Sequence, residues 1–151
     1  PAIFHIKGIT PNETVEPSEK IELNADDFEK AIKEMNDDGE VDFVLLGCPH
    51  SSLEELEKIA GLLKGKIVKK EFWVATARPI KKQAEEKGFA KTIEESGAKF
   101  ACDTCHVVAP LKGRFKCVAT NSAKGVFYGR GKNDFKMKLM TLEECVEEAT
   151  R

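Results

Sequence analysis

Residues 41–47, Val-Asp-Phe-Val-Leu-Leu-Gly, form a short and almost unbroken apolar run. The run is shorter than an ordinary buried helix and lacks polar alternation, which is the pattern of a strand covered on both faces. Cys48-Pro49-His50 follows at once, and Ser51-Ser52-Leu53-Glu54-Glu55 comes directly after it. That pentapeptide is a capping box in either register, because a hydroxyl and a carboxylate three residues apart satisfy the free N–H groups that open a helix. Leu53, Leu56, Ala60 and Leu63 then share one helical face, with Gly61 or Gly65 near its end. A covered strand that turns straight into a capped helix is the first half of a β-α-β unit.

The unit recurs. Residues 71–76 read as a second strand, and Arg78-Pro79 turns the chain into a helix. Pro79 suits the first turn of that helix, where no N–H is needed; the helix runs to about Gly88 and resumes to Ile93. Residues 99–101, 115–120 and 135–139 read as the third, fourth and fifth strands. A last helix places Leu142, Cys145, Val146 and Ala149 on one face. Upstream, Phe28, Ala31, Ile32 and Met35 are spaced as a helix capped by Asn24 or Asp26 and ended by Asp37-Asp38-Gly39. Residues 1–6 read as a strand cut from something longer, and residues 8–17 as loop. Strands alternating with helices imply an α/β fold: a three-layer domain with a mainly parallel sheet flanked by helices, over residues 1–151.

Composition narrows the function. Charged residues make up 33% of the 151 residues, yet the net charge is only −2. That balance leaves no electrostatic footprint for nucleic acid or an anionic membrane. No apolar run approaches the roughly 20 residues of a membrane helix. Five cysteines without a secretory pattern point to a reducing, cytoplasmic setting and to free or ligating thiols.

In open α/β sheets the ligand lies outside the carboxyl ends of the strands. The unusual segments fall there: Cys48-Pro49-His50, Thr76-Ala77-Arg78, Cys102-Asp103-Thr104-Cys105 and Asn121-Ser122-Ala123-Lys124. A C-x-x-C pair can hold a metal, and Cys48 at an equivalent strand end adds a third thiolate, a set that suits an iron–sulfur cluster with one iron left open. A zinc site completed by His50 or His106 and a thiol redox pair are the competing readings. Redox pairs usually open a helix, which Val107-Val108-Ala109-Pro110 makes awkward. Cys145 belongs to a helix core face. Cys117 reads as a mid-strand core residue with a reserve ligand role. Arg78 can grip a carboxylate or phosphate through two parallel bonds. Ser122 and Lys124 read as an oxyanion-binding loop, continued by a flexible aromatic loop over residues 127–131.

Gly-Cys-Pro-His-Ser-Ser-Leu-Glu-Glu-Leu (47–56), Thr-Ala-Arg (76–78), Asp-Thr-Cys (103–105), Thr-Asn-Ser-Ala-Lys (120–124) and Leu-Glu-Glu-Cys-Val (142–146) occur in this order. Together they closely resemble the aconitase X family, over the C-terminal part of its large subunit. The resemblance implies a hydro-lyase that dehydrates a small anionic hydroxy acid beside an iron–sulfur cluster, [4Fe–4S] before [2Fe–2S]. Mevalonate 5-phosphate is the implied substrate, with cis-3-hydroxy-L-proline the alternative. It also implies two partners: the rest of the large subunit, and a small swivelling subunit or domain that supplies a serine base. Carried onto this chain, Cys48, Cys102 and Cys105 are the expected metal ligands. Arg78, Thr76, Asn121, Ser122 and Lys124 are the expected substrate-side residues, with Ser122, Lys124 and His50 placed closest to the chemistry.

Overall fold

A computed structural model describes residues 4–11 and 16–151. Eleven elements follow one another: α1 (Ala25–Glu34), β1 (Phe43–Leu46), α2 (Leu53–Leu63), β2 (Glu71–Thr76), α3 (Arg78–Glu86), α4 (Phe89–Glu95), β3 (Lys99–Cys102), β4 (Cys117–Thr120), α5 (Ala123–Asn133), β5 (Lys136–Leu139) and α6 (Leu142–Thr150). All five strands are parallel, in the order β3-β2-β1-β4-β5. The chain builds outward from β1 to β3, then returns past β1 to start β4. The reversal of order therefore lies between β1 and β4, which is where such sheets open a crevice for a ligand.

Side chains alternate across the sheet and define the layers. Val44, Leu46, Phe72, Val74 and Ala119 point into one core with Leu56, Ile59, Leu63, Ala84, Ile93, Cys145 and Val146. That core joins the sheet to α2, α3, α4 and α6. Phe43, Leu45, Val118 and Met137 point into the other core with Val126 of α5, Leu111 and Phe135. The Phe43 ring stacks on Phe115 with centroids 4.3 Å apart and meets Trp73 edge-on at 5.2 Å. These contacts seat the end of the helix-free β3–β4 connection on the second face.

Local rules explain the boundaries. Asn24, Ser52 and Thr141 each cap a helix through a reciprocal capping box. The break between α3 and α4 comes at Gly88, whose φ of +81° is open to glycine at no cost. The α1 helix forms as its spacing predicts but buries no residue, and Phe28 is 69% exposed. Of the strand expected over residues 1–6, Pro1–Ile3 lie outside the described residues, and Phe4–Ile6 make no strand.

One sequence expectation is corrected. The segment read as an oxyanion loop and a flexible aromatic loop is the capped start and body of α5. Gly125, Gly129 and Gly131 hide the helix, since each lowers helix propensity by about 1 kcal/mol relative to Ala. Two of them are there for packing: a Cβ on Gly129 would lie 2.6 Å from Met137 Sδ, and one on Gly125 would lie 3.2 Å from His106 Cε1.

Candidate functional site

The loop after β1 is stitched to the end of β2. Gly47 adopts a φ of +93°, and a Cβ there would lie 2.1 Å from the Ala75 carbonyl oxygen. Only glycine lets the chain pass so close. Ser51 N–H donates to the same Ala75 oxygen at 2.9 Å, and the Thr76 hydroxyl donates to the Ser51 carbonyl at 2.7 Å. The Cys48–Pro49 peptide between them is cis. Thr76, expected on the substrate side, is fully buried, and its hydroxyl is engaged in shaping the Cys48 loop.

The β3–β4 connection meets that loop from the other side. His50 Nε2 donates to the Thr104 carbonyl at 3.1 Å. Asp103, at a φ of +56°, takes the Arg78 backbone N–H at 3.1 Å and the Arg78 Nε at 3.0 Å. Arg78 still leaves most of its side chain in solvent. The two loops enclose a cleft of about 460 Å³ lined by Cys48, His50, Cys105, Val107, Val108, Lys124 and Tyr128, among others.

Cys48 is buried and Cys105 half-buried on this one cleft. Burial pushes the Cys48 thiol above its ordinary value. The nearby Ser122 hydroxyl works against that rise, Cys105 adds to it, and the Lys124 ammonium opposes it. Ser122 also caps α5, accepting the Gly125 N–H at 2.9 Å. The N-terminus of α5 thus opens beside Cys48, where free N–H groups and the helix dipole favour negative charge. Asn121 and Lys124 are exposed on either side of Ser122.

The other cysteines lie elsewhere. Cys102 ends β3 and does not line the cleft. Burial raises its thiol, and its charged neighbours are Lys81, Asp103, Arg78 and Glu85. Cys117 is the first residue of β4, so it sits at the amino edge of the sheet, in a groove with Gly39, Asp42 and Lys136. The reserve ligand role expected for it gains no support from this place, a strand's length from the Cys48 cleft. Among the described residues, no three His, Cys, Asp or Glu side chains converge as a metal site. The donor set fits an anionic cluster in kind, with two thiols, the N-terminus of α5 and an ammonium at one cleft, but supplies two of its ligands.

Two groups carried little signal in the sequence. Tyr128 reaches the cleft because α5 is a helix. His106 is fully buried behind Cys105, and burial pushes its imidazole below the ordinary value, against the effect of its bond to the Gly125 carbonyl. A histidine next to a cysteine suggests a ligand; its burial is visible only in three dimensions.

The sequence pattern of the aconitase X third domain matches residues 41–151. The chain belongs to the aconitase X family. It is 39% identical to the phosphomevalonate dehydratase large subunit of Methanosarcina mazei, over 99% of this chain and 37% of that protein. The protein of that name from Thermococcus kodakarensis is 36% identical, over 98% of this chain and 40% of its own length. A cis-3-hydroxy-L-proline dehydratase from Hypocrea jecorina is 30% identical, over 97% of this chain and 27% of that protein. The crystal structure of Thermococcus kodakaraensis aconitase X in its holo-form superposes with a TM-score of 0.79 at 34% identity, over 88% of this chain and 36% of that one. This aconitase X chain therefore spans well under half the length of the relatives it matches, and its fold is the α/β domain expected from the alternation of its strands and helices.

Proposed function

We propose that this aconitase X chain is the cluster-bearing part of a hydro-lyase that dehydrates mevalonate 5-phosphate. The observation that carries the reading is the meeting of Cys48 and Cys105 on one cleft beside Ser122 and Lys124. Similarity to proteins named phosphomevalonate dehydratase large subunit, at 39% and 36% identity, favours this substrate. The second reading, cis-3-hydroxy-L-proline, rests on the 30% identity to a dehydratase of that name.

Cys48 and Cys105 would hold an iron–sulfur cluster, [4Fe–4S] in preference to [2Fe–2S], with a third thiolate from outside this chain because Cys102 does not reach the cleft. A cluster with an open iron supplies Lewis acidity toward the hydroxyl that leaves. Lys124 and the N–H groups opening α5 bind anionic oxygens of the substrate. Arg78, steadied by Asp103, takes a carboxylate or phosphate from the neighbouring loop. Ser122 and Asn121 orient the substrate by hydrogen bonding, and His50 holds the two loops in register through Thr104. Val107, Val108 and Tyr128 keep water from one wall of the cleft.

The base that removes the α-proton is the serine of a small swivelling subunit or domain. The name large subunit carried by the relatives supports such a partner, and the rest of the large subunit completes the site. The setting is the cytoplasm, in keeping with five free cysteines. A thiol redox protein fits less well, because the Cys102–Cys105 segment is followed by turns and opens no helix.

Anaerobic assembly of the chain within a complete large subunit, together with the small partner, tests the reading. Turnover of mevalonate 5-phosphate above cis-3-hydroxy-L-proline is expected, and the reverse preference would transfer the assignment. The isolated 151 residues should dehydrate neither.

A further inference from the structure

We propose that His106 is a positioning residue. Its imidazole, seated against Gly125 and Gly129, holds the Cys105 turn on α5 so that Cys105 faces the same cleft as Cys48 and Lys124. His106 is fully buried, and its Nε2 lies 3.0 Å from the Gly125 carbonyl oxygen. A carbonyl only accepts, so Nε2 carries a proton and donates it. Nδ1 has no hydrogen-bond partner among the described residues. A polar ring with one unmet nitrogen is a costly way to fill space, since an apolar side chain would do so without desolvation. What the ring adds is a directed bond to α5.

The socket is specific. Gly125 and Gly129 stand one helical turn apart. A Cβ at Gly125 would lie 3.2 Å from His106 Cε1, and one at Gly129 would lie 3.4 Å from His106 Nε2. A second clamp closes the other end of α5. Asn133, also buried, donates from Nδ2 to the His106 carbonyl at 2.6 Å and accepts the Leu111 N–H at 3.3 Å. Within the turn, Val108 N–H and Ala109 N–H both donate to the Cys105 carbonyl, at 3.2 and 3.0 Å. Residues 103–116 form no strand or helix, and the Cys105 turn is held at its start where the Asp103 N–H donates to the Thr76 carbonyl at 3.0 Å and His50 reaches the Thr104 carbonyl at 3.1 Å. The two clamps therefore tie Cys105 to the helix that begins with Ser122 and Lys124.

The importance of this arrangement for the cluster rests on the proposed function; the positioning of Cys105 does not. The test is site-resolved alkylation of the metal-free, complete protein, read by mass spectrometry. In His106→Leu, Cys105 should react about tenfold faster, while Cys102, held in β3, keeps its rate. In His106→Gln, whose amide nitrogen can reach the Gly125 carbonyl, Cys105 should return close to its original rate. Gly125→Ala favours the helix but crowds the ring, so it should speed Cys105 with helix content retained. An unchanged Cys105 rate in both His106→Leu and Gly125→Ala would overturn the proposal, and so would a parallel rise at every cysteine. In anaerobically reconstituted protein, His106→Leu should retain less iron and sulfide per chain, with recovery in His106→Gln. If Cys105 behaves as stated while Cys105→Ser keeps a full cluster, the positioning stands and the ligand reading fails.

Discussion

His50 donates from Nε2 to the carbonyl of Thr104 at 3.1 Å, joining two loops that are far apart in the sequence. One follows β1 and carries Cys48; the other follows β3 and carries Cys105. The bond spans the mouth of β2, whose last residues, Ala75 and Thr76, are already bonded to the Cys48 loop. The two thiols thus meet through a chain of hydrogen bonds that runs across three adjacent strand ends.

The cysteines should separate into two classes. Cys48→Ser and Cys105→Ser should each lose most of the cluster after anaerobic reconstitution, while Cys102→Ser, Cys117→Ser and Cys145→Ser keep it. Iron and sulfide per chain, with visible absorption, are the measurements. Loss in Cys102→Ser equal to that in Cys48→Ser would show that the three-cysteine set of the sequence pattern is the working one.

Gly47→Ala should cost about 3 kcal/mol or more in a urea unfolding experiment, because left-handed strain alone costs roughly 1–3 kcal/mol and the added methyl meets backbone. The clash is with the Ala75 carbonyl, which cannot rotate away as a side chain would. Gly61→Ala is the control: a Cβ there meets nothing within 4 Å, so this exposed helix position should gain a few tenths of a kcal/mol to about 1 kcal/mol.

The Cys145 thiol makes alkaline stability pH-dependent. Burial first, then Glu144 and Glu148, push it from 9.0 up to about 12. Unfolded chain ionises this thiol near its ordinary value, whereas the folded chain holds the proton. Its contribution is therefore complete below pH 9 and lost as pH rises from 9.0 toward 12. Melting temperature should fall across that window, and Cys145→Ala, though less stable at neutral pH, should fall less steeply.

Arg78→Lys in the assembled enzyme should raise KM for the anionic substrate about tenfold, with a smaller change in kcat, since an ammonium cannot make the paired bonds of a guanidinium. Steady-state kinetics of the variant decide it, and an unchanged KM would remove Arg78 from the substrate side. Asp103→Asn should show a weaker form of the same effect, because Asp103 holds both the Arg78 backbone and its Nε.

Much of the architecture was legible because it is written in local rules. Strand β2 was expected over the residues it occupies, and β1, β3, β4 and β5 differ by a residue or two at their ends. Capping residues Asn24, Ser52 and Thr141 sit where short-range hydrogen bonding requires them. The α5 helix was missed for a long-range reason. Its glycines are poor helix formers, kept because His106 and Met137 press against them. The use of Thr76 is long-range as well: its position at a strand end is local, but its hydroxyl donates to the Ser51 carbonyl of another loop.

The sequence by itself determined an alternating α/β chain, the loops that carry reactive side chains, and the aconitase X pattern of Cys48, Arg78, Cys105 and the 120–124 segment. Periodicity and capping depend on neighbours a few residues apart, so they can be read directly. Only the tertiary structure decided that β4 lies beside β1, which opens the crevice between Cys48 and Ser122. Only it separated Cys102 from the cleft and set Cys117 at the opposite edge of the sheet. Spacing within C-x-x-C says how near two thiols can come. Which of them turns toward a third depends on the strand order and on the turn that follows, and here that turn is held by His106 and Asn133.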